Sequence, residues 1–229
     1  MKLRNKFLCF AFLILLDVCL FGTLCGFGEP YGRSAAVADR LSEEIPPIVA
    51  LTFDDGPDHL YTERLLDGLA ERNVKATFFL IGRNIDGNEA LVKRMSDEGH
   101  LIGNHTYNHV RLSRQTQAVD LEEIEMTNQK IFEITGVTPT YVRPPFGDRN
   151  MDLEWVVDMT SIMWDIDPSD WKVKNKDKIV SHVLQNVKDN DIILLHDVYG
   201  TTVEAVFKII DKLQADGWQF VTVDELMTD

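Results

Sequence analysis

Short apolar runs alternate with amphipathic patterns from Pro47 to the end of this 229-residue chain. Apolar runs bounded by turn residues predict strands, and apolar residues spaced three and four apart predict helices. The predicted strands span residues 48–53, 76–81, 101–104, 140–142, 161–166, 192–195 and 220–223. The predicted helices span residues 62–72, 88–98, 117–135, 151–159, 176–187 and 202–215.

This alternation indicates an α/β fold in which successive βα units build a mostly parallel sheet. The chain is long enough to form one domain with a sizeable core. Seven or eight strands in about 185 residues suit a small barrel better than an open sheet, although periodicity alone does not decide whether the sheet closes.

Residues 1–28 are predicted to be a targeting segment. Three basic residues precede an apolar run at 7–24, and a basic flank before an apolar core is typical of a signal peptide. An uncleaved membrane anchor is the alternative, because the whole run approaches the length that spans a bilayer. Asp17, in the middle of the run, is unfavourable in a permanent span.

Residues 29–46 are rich in Gly, Pro, Ser, Ala and Glu, which predicts a linker to a domain at 47–229. All three cysteines, Cys9, Cys19 and Cys25, lie in the leader. A form cleaved after the leader therefore has no disulfide, and it must be stabilised by core packing alone or with a metal.

The net charge of −14 argues against nucleic acid as a partner and against a basic patch that binds a membrane surface. Contact with a membrane is expected only through the possible N-terminal anchor. We expect an exported monomer, either secreted or tethered to the outer face of the cytoplasmic membrane or the cell wall.

Polar residues cluster where the predicted strands end. Since the carboxyl ends of parallel strands meet at one mouth, these residues are expected to share a site. They are Asp54-Asp55, His105, Arg143, the segment 167–171 and His196-Asp197. Asp54 and Asp55 repel one another unless a metal or an arginine offsets their charge. The alternative is that both merely cap the backbone of the Gly-Pro turn.

His105 and His109 form the motif H-T-Y-N-H. If this segment is helical, the two rings lie on one face and can reach one cation. The segment lacks the Glu of the zinc-protease motif, so Asp55 is the candidate third ligand. Zinc suits two nitrogens and one oxygen, while cobalt, nickel or manganese also fit. The alternative is a pair of surface or capping histidines.

Asp54 is then free to act as a general base on a water whose pKa the metal lowers. Arg143, in R-P-P-F-G, has a forked guanidinium suited to holding a carboxylate. The backbone at Phe146 and Gly147 is a candidate N–H donor to a developing oxyanion. The alternative is a rigid loop with a surface arginine.

His196 is a candidate general acid near pH 7, and Asp170 is available to orient and charge it. Trp171 offers an apolar face of the kind on which sugars stack. Leu194 is expected on the same side of its strand as His196, where it could line a methyl-sized pocket. Each of these residues could instead be an ordinary part of the core.

Five motifs in order resemble the polysaccharide deacetylase family, also described as the NodB homology domain or carbohydrate esterase family 4. They are T-F-D-D-G-P at 52–57, H-T-Y-N-H at 105–109, R-P-P-F-G at 143–147, D-P-S-D-W at 167–171 and L-L-H-D at 194–197. The resemblance covers Ile48 to Leu226 and implies a single catalytic domain with a distorted (β/α)7-type barrel. It also implies metal-dependent removal of N-acetyl or O-acetyl groups from a polysaccharide.

The resemblance assigns a role to each position that matches a motif. It implies that Asp54 is the catalytic base, oriented by Arg143, and that Asp55, His105 and His109 hold the metal. It also implies that His196 is the catalytic acid, tuned by Asp170. Trp171 and Leu194 would shape the acetyl pocket. Phe146 departs from the family, in which many members have Tyr. The hypothesis is that the protein hydrolyses a linear amide, namely the N-acetyl group of N-acetylglucosamine in peptidoglycan. Alternatives are a chitooligosaccharide or acetylxylan deacetylase, or an inactive glycan-binding module.

Overall fold

The structure is a computed structural model that describes residues 45–149 and 158–228. The part from Ile45 onward is one compact unit. Its strands are β1 Ile48–Asp54, β2 Thr77–Leu80, β3 Leu101–Asn104, β4 Tyr141–Val142, β5 Thr160–Ser161, β6 Asp191–His196 and β7 Gln219–Val221. Its helices are α1 Tyr61–Glu71, α2 Glu89–Asp97, α3 Gln117–Thr135, α4 Asp170–Val173, α5 Lys176–Asn186, α6 Gly200–Ala215 and α7 Val223–Leu226.

The seven strands form one sheet in which every pair is parallel. The order is β5-β4-β3-β2-β1-β6, and β7 pairs with the start of β1. After β5, which pairs with β4, the chain crosses to β6 at the other end of the strand order. There Ile166 forms an isolated parallel bridge with Ile193 of β6. The sheet therefore curls toward closure, and the predicted distorted barrel is confirmed.

Strand β1 is the centre of the sheet and is buried from Val49 to Asp54. Val49, Leu51 and Phe53 pack in the main apolar core with residues of the helices, while the alternate positions are Ala50, Thr52 and Asp54. The predicted inner face of α1, formed by Leu65, Leu66 and Leu69, is fully buried. Since the apolar β1 is held along its length by β6, its carboxyl end is a fixed platform for Asp54 and Asp55.

Most predicted element bounds differ from the structure by one or two residues. Strand β3 and helix α3 have the predicted bounds, and Gly136, at φ 75°, ends α3 in the left-handed conformation. The predicted strand at 161–166 is wrong in extent, because pairing covers Thr160–Ser161 and a bridge at Ile166. The final strand ends at Val221, because a capping box at Thr222 starts α7 there.

Several sequence-based predictions fall on residues that the structure does not describe. The predicted leader at 1–28, nearly all of the linker at 29–46 and most of the helix at 151–159 lie outside the described residues. A search of the described helices for a membrane-spanning candidate found none that combines the needed length with the needed hydropathy.

Candidate active site

A pocket of about 450 Å³ lies at the carboxyl ends of the strands. Its lining contains eight of the ten predicted site residues: Asp54, Asp55, His105, His109, Phe146, Trp171, Leu194 and His196. The other two, Arg143 and Asp170, are fully buried behind the pocket wall and contact lining residues. The structure thus brings all ten positions together.

Three lining side chains form a group that can hold a metal ion. Their candidate ligand atoms all lie within 4.8 Å of one another. Oδ1 of Asp55 is 3.6 Å from Nε2 of His105 and 3.4 Å from Nε2 of His109. No hydrogen-bond partner is found for this buried oxygen among the described residues. An unpaired buried carboxylate oxygen is costly, and a cation between these atoms would satisfy it.

The ring of His105 is held in the orientation that a metal ligand needs. Its Nδ1 lies 2.6 Å from the carbonyl oxygen of Arg143. A carbonyl can only accept, so Nδ1 carries the proton and donates, which leaves the lone pair of Nε2 directed at the carboxylates. Burial lowers the pKa of both His105 and His109, which favours the neutral ring that binds metals. Burial also raises the pKa of Asp55.

The segment 105–109 is not helical, so the condition attached to the spacing of its two histidines is not met. The segment is an irregular loop in which Thr106 and His109 have positive φ angles of 62° and 59°. The two rings nevertheless meet, with centroids 5.0 Å apart. The loop closes because the Asn104 side-chain oxygen accepts from the Thr106 amide at 2.7 Å. A turn closed by a side-chain hydrogen bond therefore brings the two histidine rings together, in place of helical spacing.

Helix α3 anchors this loop through a buried carboxylate that sequence reasoning did not single out. Glu123 accepts from the Asn108 backbone amide at 2.6 Å and from the Asn108 side chain at 2.7 Å. Five residues further along the helix, Asn128 accepts from the Asn104 side chain at 2.8 Å. The residue before His109 is thus fixed to the helix by two hydrogen bonds to one carboxylate. No motif marked Glu123, because charged residues on helices are common.

Arg143 binds the Asp54 carboxylate at the end of β1. Its Nη1 donates to Asp54 Oδ1 at 2.8 Å and to Thr52 Oγ1 at 2.7 Å. Its remaining donors bind the carbonyl oxygens of Ile162 and Met163. Asp54, only 3 % exposed, therefore has one oxygen held by a guanidinium, while its other oxygen lies 3.7 Å from Nε2 of His105.

His196 and Asp170 form the second charged pair of the pocket. Nδ1 of His196 donates to Asp170 Oδ1 at 2.7 Å. Burial alone would lower the pKa of His196, but the hydrogen bond and charge of Asp170, helped by Asp54 and Asp55, raise it to about 9. The ring is therefore protonated at neutral pH and can donate a proton into the pocket from Nε2.

Apolar side chains form part of the pocket wall. Leu194 is 5 % exposed and follows the predicted alternation with His196 on β6. Trp171 is 47 % exposed and lines the pocket. Phe146 has a φ of 63°, and its ring centroid lies 4.5 Å from that of His109. These surfaces suit an acetyl methyl group and a sugar ring more than a strongly charged ligand.

Asp197 lies under the turn that carries Asp55. Its Oδ2 accepts from the Thr62 hydroxyl at 2.5 Å, and that hydroxyl accepts from the Asp58 amide. Gly56 is required here, because an added Cβ would lie 2.5 Å from both carboxylate oxygens of Asp197. Burial raises the pKa of Asp197 to about 7, against the opposing bond from Thr62. In the sequence, Asp197 could be recognised as the final residue of the motif L-L-H-D.

The comparisons with known proteins agree with this geometry. A family model described as Polysaccharide deacetylase matches residues 42–163. The peptidoglycan-N-acetylglucosamine deacetylase PgdA of Listeria monocytogenes is 39% identical over 178 residues, covering 78% of this chain and 38% of the relative. This chain therefore spans well under half of that relative's length.

Two solved structures are similar over most of their own length. Peptidoglycan deacetylase PdaC from Bacillus subtilis has a TM-score of 0.78 and 40% identity, covering 80% of this chain and 91% of that one. A family 4 acetyl xylan esterase from Clostridium thermocellum, in complex with a cobalt ion, has a TM-score of 0.75 and 38% identity, covering 79% and 90%. On the family match and these identities, the chain is a member of the polysaccharide deacetylase family.

Proposed function

We propose that this protein is an exported, metal-dependent hydrolase that removes N-acetyl groups from N-acetylglucosamine in peptidoglycan. The observation that carries the proposal is the proximity of Asp54, held by Arg143, to a triad of potential metal ligands in the pocket that also contains the protonated His196. The substrate class is supported by the name of the Listeria relative, and export by the leader predicted at 1–28.

The triad suits a divalent cation. It supplies two neutral imidazole nitrogens and a carboxylate oxygen that has no hydrogen-bond partner among the described residues. Three protein ligands of these types leave positions open for water and substrate, as in catalytic zinc sites. We propose zinc, with cobalt, nickel or manganese as alternatives, and the cobalt ion in the Clostridium relative supports the range. When bound, such an ion lowers the pKa of a water molecule and polarises a carbonyl group.

Asp54 takes a proton from the attacking water as the water oxygen bonds to the acetyl carbon. Arg143 holds the Asp54 carboxylate in place because its Nη1 donates to one carboxylate oxygen. The backbone N–H at Phe146 is the proposed donor to the oxyanion.

His196 gives its proton to the leaving nitrogen as the carbon–nitrogen bond breaks. The products are acetate and a free amine. Trp171 and Leu194 hold the acetyl group against the pocket wall and exclude bulk water. Within the proposed residue set no Ser or Cys acts as a nucleophile, so the reaction needs no covalent intermediate.

The test is release of acetate from a panel of acetylated glycans. The purified protein is treated with a chelator, then assayed on peptidoglycan, chitin oligomers and acetylated xylan with and without added zinc. We expect zinc-dependent acetate, fastest from peptidoglycan. Preference for chitin oligomers or xylan would reassign the substrate within the family. No metal-dependent acetate from any glycan would contradict the proposal and favour an inactive glycan-binding module.

A further inference from the structure

Arg111 places a cation on the wall of the candidate active site, and no role in the proposed reaction uses it. Its side chain is 40 % exposed and lines the pocket together with His109 and Phe146. The chain carries a net charge of −14, and the pocket lining itself includes Asp54, Asp55 and Asp167. Among the described residues that line the pocket, Arg111 is the only arginine or lysine.

The guanidinium is held in place by stacking. Its central carbon lies 4.1 Å from the centroid of the Phe146 ring, within the range of a cation–π contact. The Phe146 ring in turn lies against the ring of His109. The three side chains lie in series outward from the candidate metal ligand, so the guanidinium is one aromatic ring away from the site of the proposed reaction.

Most of the hydrogen-bonding capacity of Arg111 remains available. Among the described residues its side chain makes one ion pair, to Asp148, at 3.8 Å. That distance is too long for a hydrogen bond, and the same Asp148 oxygen already accepts from Ser113 at 2.6 Å. A planar guanidinium with free N–H groups is suited to a carboxylate, which it can bind with two parallel hydrogen bonds.

We infer that Arg111 is a subsite contact for a carboxylate on the sugar next to the one that is deacetylated. The inference rests on the proposed function in taking the pocket to bind a glycan. In peptidoglycan that neighbour is muramic acid, whose lactyl group ends in a free carboxylate wherever the peptide has been removed. Arg111 therefore favours peptide-free strands over neutral glycans such as chitin oligomers.

The test measures binding rather than turnover, so that it does not depend on acetate release. Glycans are titrated into the full chain carrying Asp54→Asn, and binding is followed by tryptophan fluorescence, since Trp164 and Trp171 line the pocket. Two ligands are compared: peptide-free peptidoglycan strands, and the same strands with their lactyl carboxylates converted to neutral amides. Arg111→Gln removes the charge, Arg111→Lys keeps it without the fork, and Arg114→Gln is the matched control at an exposed position outside the pocket lining.

We expect Arg111→Gln to weaken binding of the carboxylated strands about fivefold and to leave the amidated strands within about twofold. Arg111→Lys should give an intermediate loss, and Arg114→Gln no change. Equal weakening for both ligands would mean that Arg111 only supports Phe146, and it would overturn the inference. An unchanged affinity in Arg111→Gln, or no binding of either strand, would overturn it as well. Absence of acetate release from every glycan bears on the proposed function alone.

Discussion

The carboxylate of Asp170 holds His196 by both its ring and its backbone. Oδ1 accepts from ring Nδ1 at 2.7 Å, and Oδ2 accepts from the His196 amide at 2.9 Å and from Thr202 at 2.7 Å. The ring is thereby fixed relative to the strand that carries it. Its remaining nitrogen faces the pocket that His196 lines. The pair sets both the direction and the protonation state of the proposed acid.

Replacing this carboxylate should shift the pH dependence of the reaction. The pKa of His196 is raised to about 9, chiefly because Asp170 outweighs the opposing effect of burial. The acid form is lost as pH rises through that pKa, so activity should fall on the alkaline side. In Asp170→Asn the raising charge is gone, and the alkaline limb of a kcat against pH profile should move to lower pH. An unmoved limb would remove His196 from the role of acid.

The same pair has a consequence for stability. Because the folded pKa of His196 exceeds its ordinary value of 6.5, its contribution is complete below that pH and is lost as pH rises through about 9. Urea unfolding of the chelator-treated protein between pH 6 and pH 9.5 measures this loss. The loss should be smaller in Asp170→Asn, and an equal loss in both proteins would contradict the assignment.

Asp54→Asn should separate catalysis from metal binding. The amide keeps the size of the side chain but removes the base, so turnover should fall by about 10²–10⁴. The triad does not include Asp54, so metal content measured by elemental analysis should stay the same. A normal rate would exclude Asp54 as the base, and loss of metal would make it a ligand.

His105→Ala should remove metal and activity together. Two of the three ligands remain, which is too few for tight binding, and the carbonyl of Arg143 loses its partner. Metal affinity is measured by competition with a coloured chelator, and acetate release is assayed in parallel. His59→Ala, at an exposed position, is the matched control. Retained metal in His105→Ala would show that the ligand set is wrong.

Glu123→Gln should weaken metal binding from outside the triad. The variant keeps the shape of the side chain but lacks the second acceptor that Asn108 uses, so the loop before His109 loosens. Removing a residue that positions a metal ligand typically lowers metal affinity about tenfold. Titration with cobalt, read from its visible absorption, should show weaker binding and altered bands. Glu122→Gln, on the exposed face of α3, should behave as the parent protein.

The sequence predicted the fold well where capping and turn residues mark the ends of an element. Helix α3 begins after the cap at Thr116 and ends at Gly136, and β3 follows the turn at Gly99, so the bounds of both were correct. The site residues could be predicted because they follow strands whose ends converge. The short pairing at β5 and the helix α7 could not, since two-residue pairing and a four-residue helix leave almost no pattern.

The geometry of the H-T-Y-N-H segment was beyond sequence reasoning for a different reason. Helical spacing would place the two rings together, but the loop with positive φ angles at Thr106 and His109 is held differently. Its backbone amides donate to the side chains of Asn104 and of Glu123 on α3. The bond to Glu123 joins residues that only tertiary structure brings together. The role of Arg111 was hidden likewise, because its stacking on Phe146 links segments 35 positions apart.

The four acceptors that Arg143 binds come from β1 and from the segment after β5, on separate parts of the barrel wall. The guanidinium therefore links these two parts of the barrel wall and also binds Asp54. Displacing Asp54 from Arg143 requires these parts of the wall to separate. The position of the proposed base should therefore persist in denaturant until the sheet itself unfolds.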